Sequence, residues 1–272
     1  LLCRRGDWVL ALSGQNSYVP KISRSIYRLE RQSRIELWHS RARLVLGGGH
    51  SLRETGLPYA NAILDTGFAG ASDFGRLDVA GTAALSRARN ASRAGGAMRN
   101  EGDDRPDYGL VQGYFVPQTA RATADGDRPE LALRFAHGTV RFSFAFPAPG
   151  RAAIRADWDV RRLDRLCLQL PLLVWDGGTL LADGESAPDS ADAPVEVRGE
   201  VRTEGGTFDT RCALTVPRSV PSRVRWPLLA HPTHTGFFEN DPFRPAFRIA
   251  LVSSQWESPP QTGQALWELS LL

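Results

Sequence analysis

The segment LALRFAHGTVRFSFAF, residues 131–146, decides the fold class. Apolar side chains alternate with polar or small ones on both sides of a turn at His137-Gly138. Successive side chains of a β-strand point to opposite faces, so this period of two places all the apolar residues on one surface. The pattern predicts an antiparallel hairpin with one face in a core. The residues of that face are Leu131, Leu133, Phe135, Val140, Phe142, Phe144 and Phe146.

The same period recurs along most of the chain, in short runs separated by turn residues. No segment shows a sustained helical period, and only residues 81–99 are compatible with a short helix. Strands at this spacing, each with one apolar and one polar face, predict an all-β fold with antiparallel pairing, either a sandwich or a closed sheet. We expect one continuous domain over residues 1–272. Further strand-like runs are DWVLALSG, SIYRLERQ, SRIELW, RLVLGGG, AAIRADWDV, FRIALVSS and ALWELSLL.

Composition excludes several classes of protein. The 272 residues are 42% hydrophobic and 23% charged, which is typical of a globular chain. The net charge of +3 is spread along the chain, so no nucleic-acid partner is expected. There is no apolar run of about 18 residues, so no membrane span is expected. The cysteines, Cys3, Cys167 and Cys212, are far apart, and the alternation around Cys212 predicts a buried structural thiol.

The glycine run that follows RIELWHSRARLVL raises a question of chemistry. Gly47, Gly48 and Gly49 precede His50, but neither the Lys-Ser/Thr of a phosphate loop nor a helix follows them. A strand end where the backbone bends or approaches a neighbour closely explains the glycines better. His39 and His50 have no tight metal-ligand spacing. We therefore expect no cofactor, and a structural divalent metal stays open.

Hydrolytic motifs are weak. No GxSxG turn is present, so a serine hydrolase is not indicated. Paired carboxylates for glycoside hydrolysis are available at Glu30 and Glu36 or at Glu239 and Asp241, but sequence cannot set the distance between them.

The stretch SRSIYRLERQSRIELWH carries the most functional information. Alternation places Arg28 and Glu30 on one side of a strand, and Arg34, Glu36 and Trp38 on one side of the next. An arginine, a glutamate and an indole on one surface suit an acidic sugar, because the indole stacks on the ring and the arginine pairs with the carboxylate or sulfate. Cross-strand charge pairing on a solvent-facing sheet explains the same residues equally well.

The segments RRGDWVLALSGQNS and YRLERQSRIELWHSRARLVLGGGHS resemble the C-terminal β-sandwich of heparinase II/III-like polysaccharide lyases. The resemblance covers roughly residues 4–66, and Gln32 and Ser33 stand where that pattern has asparagines. No histidine-centred motif of the heparinase type is found. The matching positions are Arg5, Trp8, Ser13, Arg28, Glu30, Trp38 and Gly47 to Gly49.

The resemblance implies a large antiparallel, multi-stranded super-sandwich that follows an upstream helical domain of the same protein. It implies cleavage of uronic-acid polysaccharides by β-elimination, and export to the periplasm or cell surface. Within this family reading, Arg28 would neutralise the uronate, Glu30 would help bind it, Trp38 would stack on the sugar and His39 would exchange protons. We expect Trp38 and His39 to border the same surface. The chain starts at Leu1 without a methionine, so we expect residues upstream.

A second interpretation belongs to another class of protein. The chain would then be a non-catalytic carbohydrate-binding or structural β-sandwich module, with the same acidic polysaccharide as its partner or with none.

Overall fold

The computed structural model describes residues 1–13, 28–29, 34–47, 52–53, 77–79, 119–125, 128–135, 138–161, 163–188, 190–229 and 247–272. Within these ranges every regular element is a β-strand, as the period of two predicts. The short helix considered for residues 81–99 lies outside them. The strands are β1 Leu2–Arg5, β2 Trp8–Ser13, β3 Arg28–Leu29, β4 Arg34–His39, β5 Arg43–Leu46, β6 Leu52–Arg53, β7 Leu77–Val79, β8 Thr119–Asp125, β9 Arg128–Phe135, β10 Gly138–Ala148, β11 Arg151–Val160, β12 Leu163–Trp175, β13 Gly178–Ala182, β14 Glu185–Ser186, β15 Ser190–Val197, β16 Glu200–Gly205, β17 Cys212–Thr215, β18 Ser222–Leu229, β19 Phe247–Glu257 and β20 Thr262–Leu271.

Two nine-stranded antiparallel sheets form the body of the fold. The first sheet has the order β1-β2-β4-β5-β12-β19-β18-β15, with β7 also paired to β12. The second sheet has the order β14-β13-β16-β17-β20-β11-β10-β9-β8. Strands β3 and β6 pair with each other in a separate two-stranded sheet. The prediction of a large all-β antiparallel sandwich is confirmed.

The hairpin predicted from residues 131–146 is present as β9 and β10. Phe142 lies opposite Leu131, and Val140 lies opposite Leu133. These side chains and Phe144 are at most 2% exposed, and they pack on the residues that β11 contributes to the same face. The apolar alternation of this segment therefore forms one wall of the core, as predicted.

The chain changes sheet at the turn after Trp175. Strand β12 pairs with β19 in the first sheet, but β13, which follows two residues later, pairs with β16 in the second. Gly178 and Gly206 permit this crossing, because a Cβ at either position would lie 2.9 Å from the Trp175 carbonyl oxygen. The two apolar runs around Asp176-Gly177-Gly178 thus belong to opposite layers.

One apolar cluster joins the two sheets. It contains residues of β2, β4 and β12 from the first sheet and of β10, β11 and β20 from the second. Burying a Leu, Phe or Val side chain stabilises a fold by about 1.5–3 kcal/mol. The Ser222 and Ser254 hydroxyls are hydrogen-bonded at 2.8 Å within this interior, and the Trp267 indole N–H donates to Ser254 Oγ at 3.3 Å.

Cys212 is a buried structural thiol, as predicted. It is 1% exposed, and its Sγ lies 3.0 Å from the Thr203 hydroxyl on the neighbouring strand. Burial raises the pKa of the thiol to about 11, and the hydrogen bonds from Thr203 oppose that rise only partly. A thiol with such a pKa is a poor nucleophile at neutral pH, so its role is packing.

Asp183 holds the backbone of residues 198–200 by hydrogen bonds, where the chain passes from the first sheet to the second. Its carboxylate accepts backbone N–H groups of Arg198 at 2.8 Å, Gly199 at 2.7 Å and Glu200 at 3.0 Å. These residues join β15 of the first sheet to β16 of the second. Burial alone would raise the pKa of Asp183, but the three backbone donors, helped by the Arg198 charge, lower it below its usual 3.8.

Replacing Asp183 with alanine should lower the free energy of unfolding at pH 7 by about 1 kcal/mol, since the lost hydrogen bonds are solvent-exposed. The native pKa is depressed, so this stabilisation is complete above the usual carboxyl pKa and is lost as pH falls below it. Urea unfolding at pH 7 and at acid pH measures the difference. Glu185→Ala, at an exposed neighbouring acid, is the control. The prediction would be contradicted if wild type and variant differed by the same free energy of unfolding at both pH values.

Candidate functional site

Strand β4 presents Trp38 on the face of the first sheet that points away from the shared core, here called the outer face. Ile35 and Leu37 alternate inward and are at most 2% exposed. On the opposite side, Glu36 is half-buried and the Trp38 side chain is 42% exposed. The indole is thus available to a partner, although the residues before and after it in β4 are buried.

The register of the sheet places Arg4 in line with this indole. Arg4 of β1 lies opposite Val9 of β2, and Val9 lies opposite Trp38. The Arg4 Nε donates to the Gly6 carbonyl at 3.2 Å, and the described part of the chain offers this guanidinium no ion pair. Two strand spacings separate Arg4 from Trp38, or about 10 Å between Cα atoms. A cation and an exposed indole therefore share one row of the outer face.

The part of the outer face next to Trp38 is buried. Leu44, the cross-strand neighbour of Trp38 on β5, is 5% exposed. Leu173, Ile249 and Leu251, farther along the same face, are at most 2% exposed. An exposed indole beside buried aliphatic neighbours is an unusual use of a large apolar side chain.

His39 occupies the opposite face of β4. It is 2% exposed, and its ring meets the Trp8 indole edge to face with centroids 4.7 Å apart. The Nδ1 accepts the Arg41 backbone N–H at 3.1 Å, which assigns the proton of the neutral ring to Nε2. Burial lowers the pKa of His39 below its usual 6.5, although Asp7 partly offsets this. His39 is therefore a neutral, packed imidazole.

Trp38 and His39 lie on opposite faces of β4, whereas their positions in the sequence led us to expect one shared surface. Adjacent residues of a strand point to opposite faces, so the indole faces solvent and the imidazole faces the core. A sugar stacked on Trp38 would not contact His39 in this arrangement. The expectation of a shared surface is wrong, and proton exchange by His39 stays a prediction.

Arg28 and Glu30 are not brought to this row by the described residues. Arg28 belongs to β3, where it lies opposite Arg53 of β6 in the small two-stranded sheet. Glu30 lies outside the described residues. The predicted uronate-binding roles of Arg28 and Glu30 therefore stay predictions.

Gly47, the first residue of the glycine run, lies where the end of β5 closely approaches β4. Its φ is +110°, and a Cβ there would lie 2.9 Å from Glu36 Cγ and 3.0 Å from the Ile35 carbonyl oxygen. Its N–H donates to the Pro171 carbonyl at 2.9 Å, which links β5 to β12. The predicted close approach at a strand end is confirmed for Gly47. Gly48, Gly49 and His50 lie outside the described residues.

Two features of the outer face escaped sequence reasoning. Arg4 was not singled out, because its alignment with Trp38 depends on the tight turn of the β1–β2 hairpin, where Gly6 has a φ of +57°. Arg223 and Ser253 also share this face, on β18 and β19, and lie opposite each other. Polar residues at alternate positions of SRVRWPLL and LVSSQWE are the signal that points to them.

Within the described ranges, no group of three or more His, Cys, Asp and Glu side chains is placed to hold a metal ion. The same ranges contain no helix long and apolar enough to cross a bilayer.

Comparison with known proteins gives structural neighbours only. No protein-family model matches the sequence. No curated protein matches it either.

The structural neighbours include proteins that act on sugars. A heparan sulfate lyase from Pedobacter heparinus is 10% identical over 97% of this chain and 33% of that chain, with a TM-score of 0.38. A candidate mutarotase from Salmonella typhimurium is 8% identical over 94% and 96%, with a TM-score of 0.41. A candidate aldose 1-epimerase from Escherichia coli K12 is 7% identical over 57% and 68%, with a TM-score of 0.39. Similarity at this level carries no information about substrate or reaction.

Proposed function

We propose that this chain is a glycan-binding β-sandwich that forms the supporting part of a heparinase II/III-like polysaccharide lyase. The observation that carries the proposal is the Trp38 indole, 42% exposed on the outer face in one row with Arg4. The resemblance of residues 4–66 to that family supports the same conclusion.

The arrangement suits an acidic sugar. An indole can stack on the apolar face of a pyranose ring. Exposed aromatic side chains often contribute much of the binding energy at such surfaces. Arg4 supplies a planar guanidinium for a carboxylate or sulfate, and its fork pairs with such groups through two hydrogen bonds. Glu36, two residues before Trp38, can accept hydrogen bonds from sugar hydroxyls. The row therefore offers a contact for each chemical part of a uronic-acid unit.

The chemistry itself is assigned to other parts of the protein. β-Elimination removes the proton beside the uronate carboxylate, breaks the bond to the leaving glycosidic oxygen and leaves a double bond in the sugar. Its base must touch the sugar, and His39 is sealed in the core beneath β4. We assign this step to an upstream helical domain, in a protein exported to the periplasm or cell surface.

A non-catalytic carbohydrate-binding module is the second candidate function. The burial of His39 favours it, because the histidine predicted to exchange protons does not face the Trp38 row. The two candidates differ in whether a longer form of the protein cleaves what this chain binds.

Replacing Trp38 with alanine should weaken binding of uronic-acid polysaccharides by roughly tenfold to a hundredfold, because the stacking surface is lost. Calorimetric titration of the wild-type chain and the variant with uronic-acid and neutral polysaccharides measures this. Leu266→Ala is the control, since Leu266 is 48% exposed and lies on β20 of the second sheet. Arg4→Gln should weaken binding of the acidic glycans only.

Ultraviolet absorbance of the unsaturated product distinguishes the two candidates. A rise with an upstream-extended form, but not with this chain, would support the lyase. Binding without any rise would support the module. If wild type and Trp38→Ala bound these polysaccharides with equal affinity, the Trp38 row would not be the glycan-binding site in either candidate function.

A further inference from the structure

A depression opens on the outer face beside β18 and β19. Its volume is about 470 Å³. Strands β5 and β12 lie between these strands and β4, so the depression is separate from the Trp38 row. It is lined by Pro194, Ser219, Val220, Pro221, Arg223, Arg225, Ser253, Gln255, Trp256 and Glu257.

Ser253 is the feature that points to a ligand. The residue is 6% exposed, and its Oγ is buried without a hydrogen-bond partner in the described part of the chain. Buried hydroxyls are almost always hydrogen-bonded, so an orphan that lines a depression needs an explanation. It lies in register between Gln169 of β12 and Arg223 of β18, and the three residues form one polar row.

The next residue along β19 shows how this fold treats a structural serine. Ser254 points to the core, where its hydroxyl bonds Ser222 at 2.8 Å and accepts the Trp267 indole N–H at 3.3 Å. Ser253 and Ser254 are thus neighbours on opposite faces, and both are buried. The one in the core has partners in the protein, and the one in the depression has none within the described residues.

The charges around the depression favour an anion. Arg223 and Arg225 stand two residues apart on the same side of β18, and Arg223 has no ion pair within the described ranges. Glu196, opposite Arg223, is already bound by Arg198 at 3.1 Å. Glu257 accepts a hydrogen bond from the Gln255 amide. The neighbouring carboxylates therefore have other partners, and the Arg223 guanidinium remains available.

We propose that this depression binds a small hydroxylated carboxylate of the size of one sugar-acid unit. Arg223 pairs with the carboxylate, and the Ser253 hydroxyl donates a hydrogen bond to the same ligand. A pocket of this volume is within the range that accommodates small organic ligands. The proposal does not depend on the function assigned to Trp38, because the two sites share no residue.

Titration of the full chain with glucuronate, glucose and inorganic sulfate, followed by calorimetry or ligand-observed magnetic resonance, tests this site. Glucuronate should bind, glucose should not, and sulfate should bind at least tenfold more weakly than glucuronate. Ser253→Ala and Arg223→Gln should each weaken glucuronate binding by tenfold or more. Ser253→Ala should leave the melting temperature unchanged or raised, because it removes an unsatisfied hydroxyl.

Ser254→Ala is the matched control. It should lower the melting temperature and leave glucuronate binding unchanged, and all titrations are made in a Trp38→Ala background so that the Trp38 row does not contribute. Wild-type glucuronate affinity in Ser253→Ala would overturn the proposal, and so would equal binding of glucose and glucuronate. If sulfate bound as tightly as glucuronate, the depression would be a general anion site and the proposed specificity for a sugar acid would be wrong.

Discussion

Gly263→Ala should lower the free energy of unfolding by about 3 kcal/mol, because it forces a methyl group into an indole. Gly263 of β20 lies directly opposite Trp158 of β11. A Cβ at this glycine would lie 2.2 Å from Trp158 Cζ2 and 2.5 Å from Cε2. The indole cannot move aside freely, since its N–H donates to the Pro260 carbonyl at 3.1 Å and its ring packs on Trp256 with centroids 4.9 Å apart.

Chemical denaturation measures this loss, and a double-mutant cycle identifies its cause. In a Trp158→Leu background, Gly263→Ala should cost under about 1 kcal/mol, because the atoms that it meets are gone. Gly184→Ala measures backbone strain alone, because its φ is +89° and no atom lies within 4 Å of the added Cβ. An equal loss with and without the Trp158 indole would show that the clash is not the cause.

Leu269→Ala should also cost about 3 kcal/mol, within the range found for buried leucines replaced by alanine. Leu269 is 0% exposed and lies between Ala152 of β11 and Leu214 of β17. Its removal leaves a cavity in the centre of the second sheet, where the backbone cannot collapse to fill it.

Leu266→Ala on the same strand is the matched control. Leu266 is 48% exposed, so the same atoms leave water rather than a packed interior, and the loss should be under about 1 kcal/mol. Urea midpoints of the two variants provide the comparison. A similar shift for both would mean that β20 is not packed as the sheet order requires.

Most of the described strands could be predicted from sequence, although some, among them β1, β8 and β18, were not, and neither was the assignment of strands to sheets. The alternation in residues 131–146 led to β9, β10 and their buried face. By contrast, β12 and β13 are equally apolar and only two residues apart, yet they lie in different layers. Local periodicity indicates which side of a strand is buried. Which of the two sheets a strand joins depends on long-range pairing, such as that of β12 with β19.

The candidate site was predicted only in part, for a related reason. Alternation correctly grouped Glu36 with Trp38, and it also separates Trp38 from His39, which family resemblance had grouped together. The alignment of Arg4 with Trp38 could not be predicted, because it depends on the register of β1, β2 and β4. The Ser253 depression was missed because a serine in a strand is unremarkable until its partners are known.

The sheet orders have a consequence for synthesis on the ribosome. Strand β20 is the fifth of nine in the second sheet, and β19 joins β12 to β18 in the first. These two strands, which are made after the other described strands, are therefore central to both layers. Until they emerge, β11 and β12 keep open edges that can pair with other chains. Productive folding should thus wait until β20 has been made, and chains stalled before β19 should depend on chaperones to stay unaggregated.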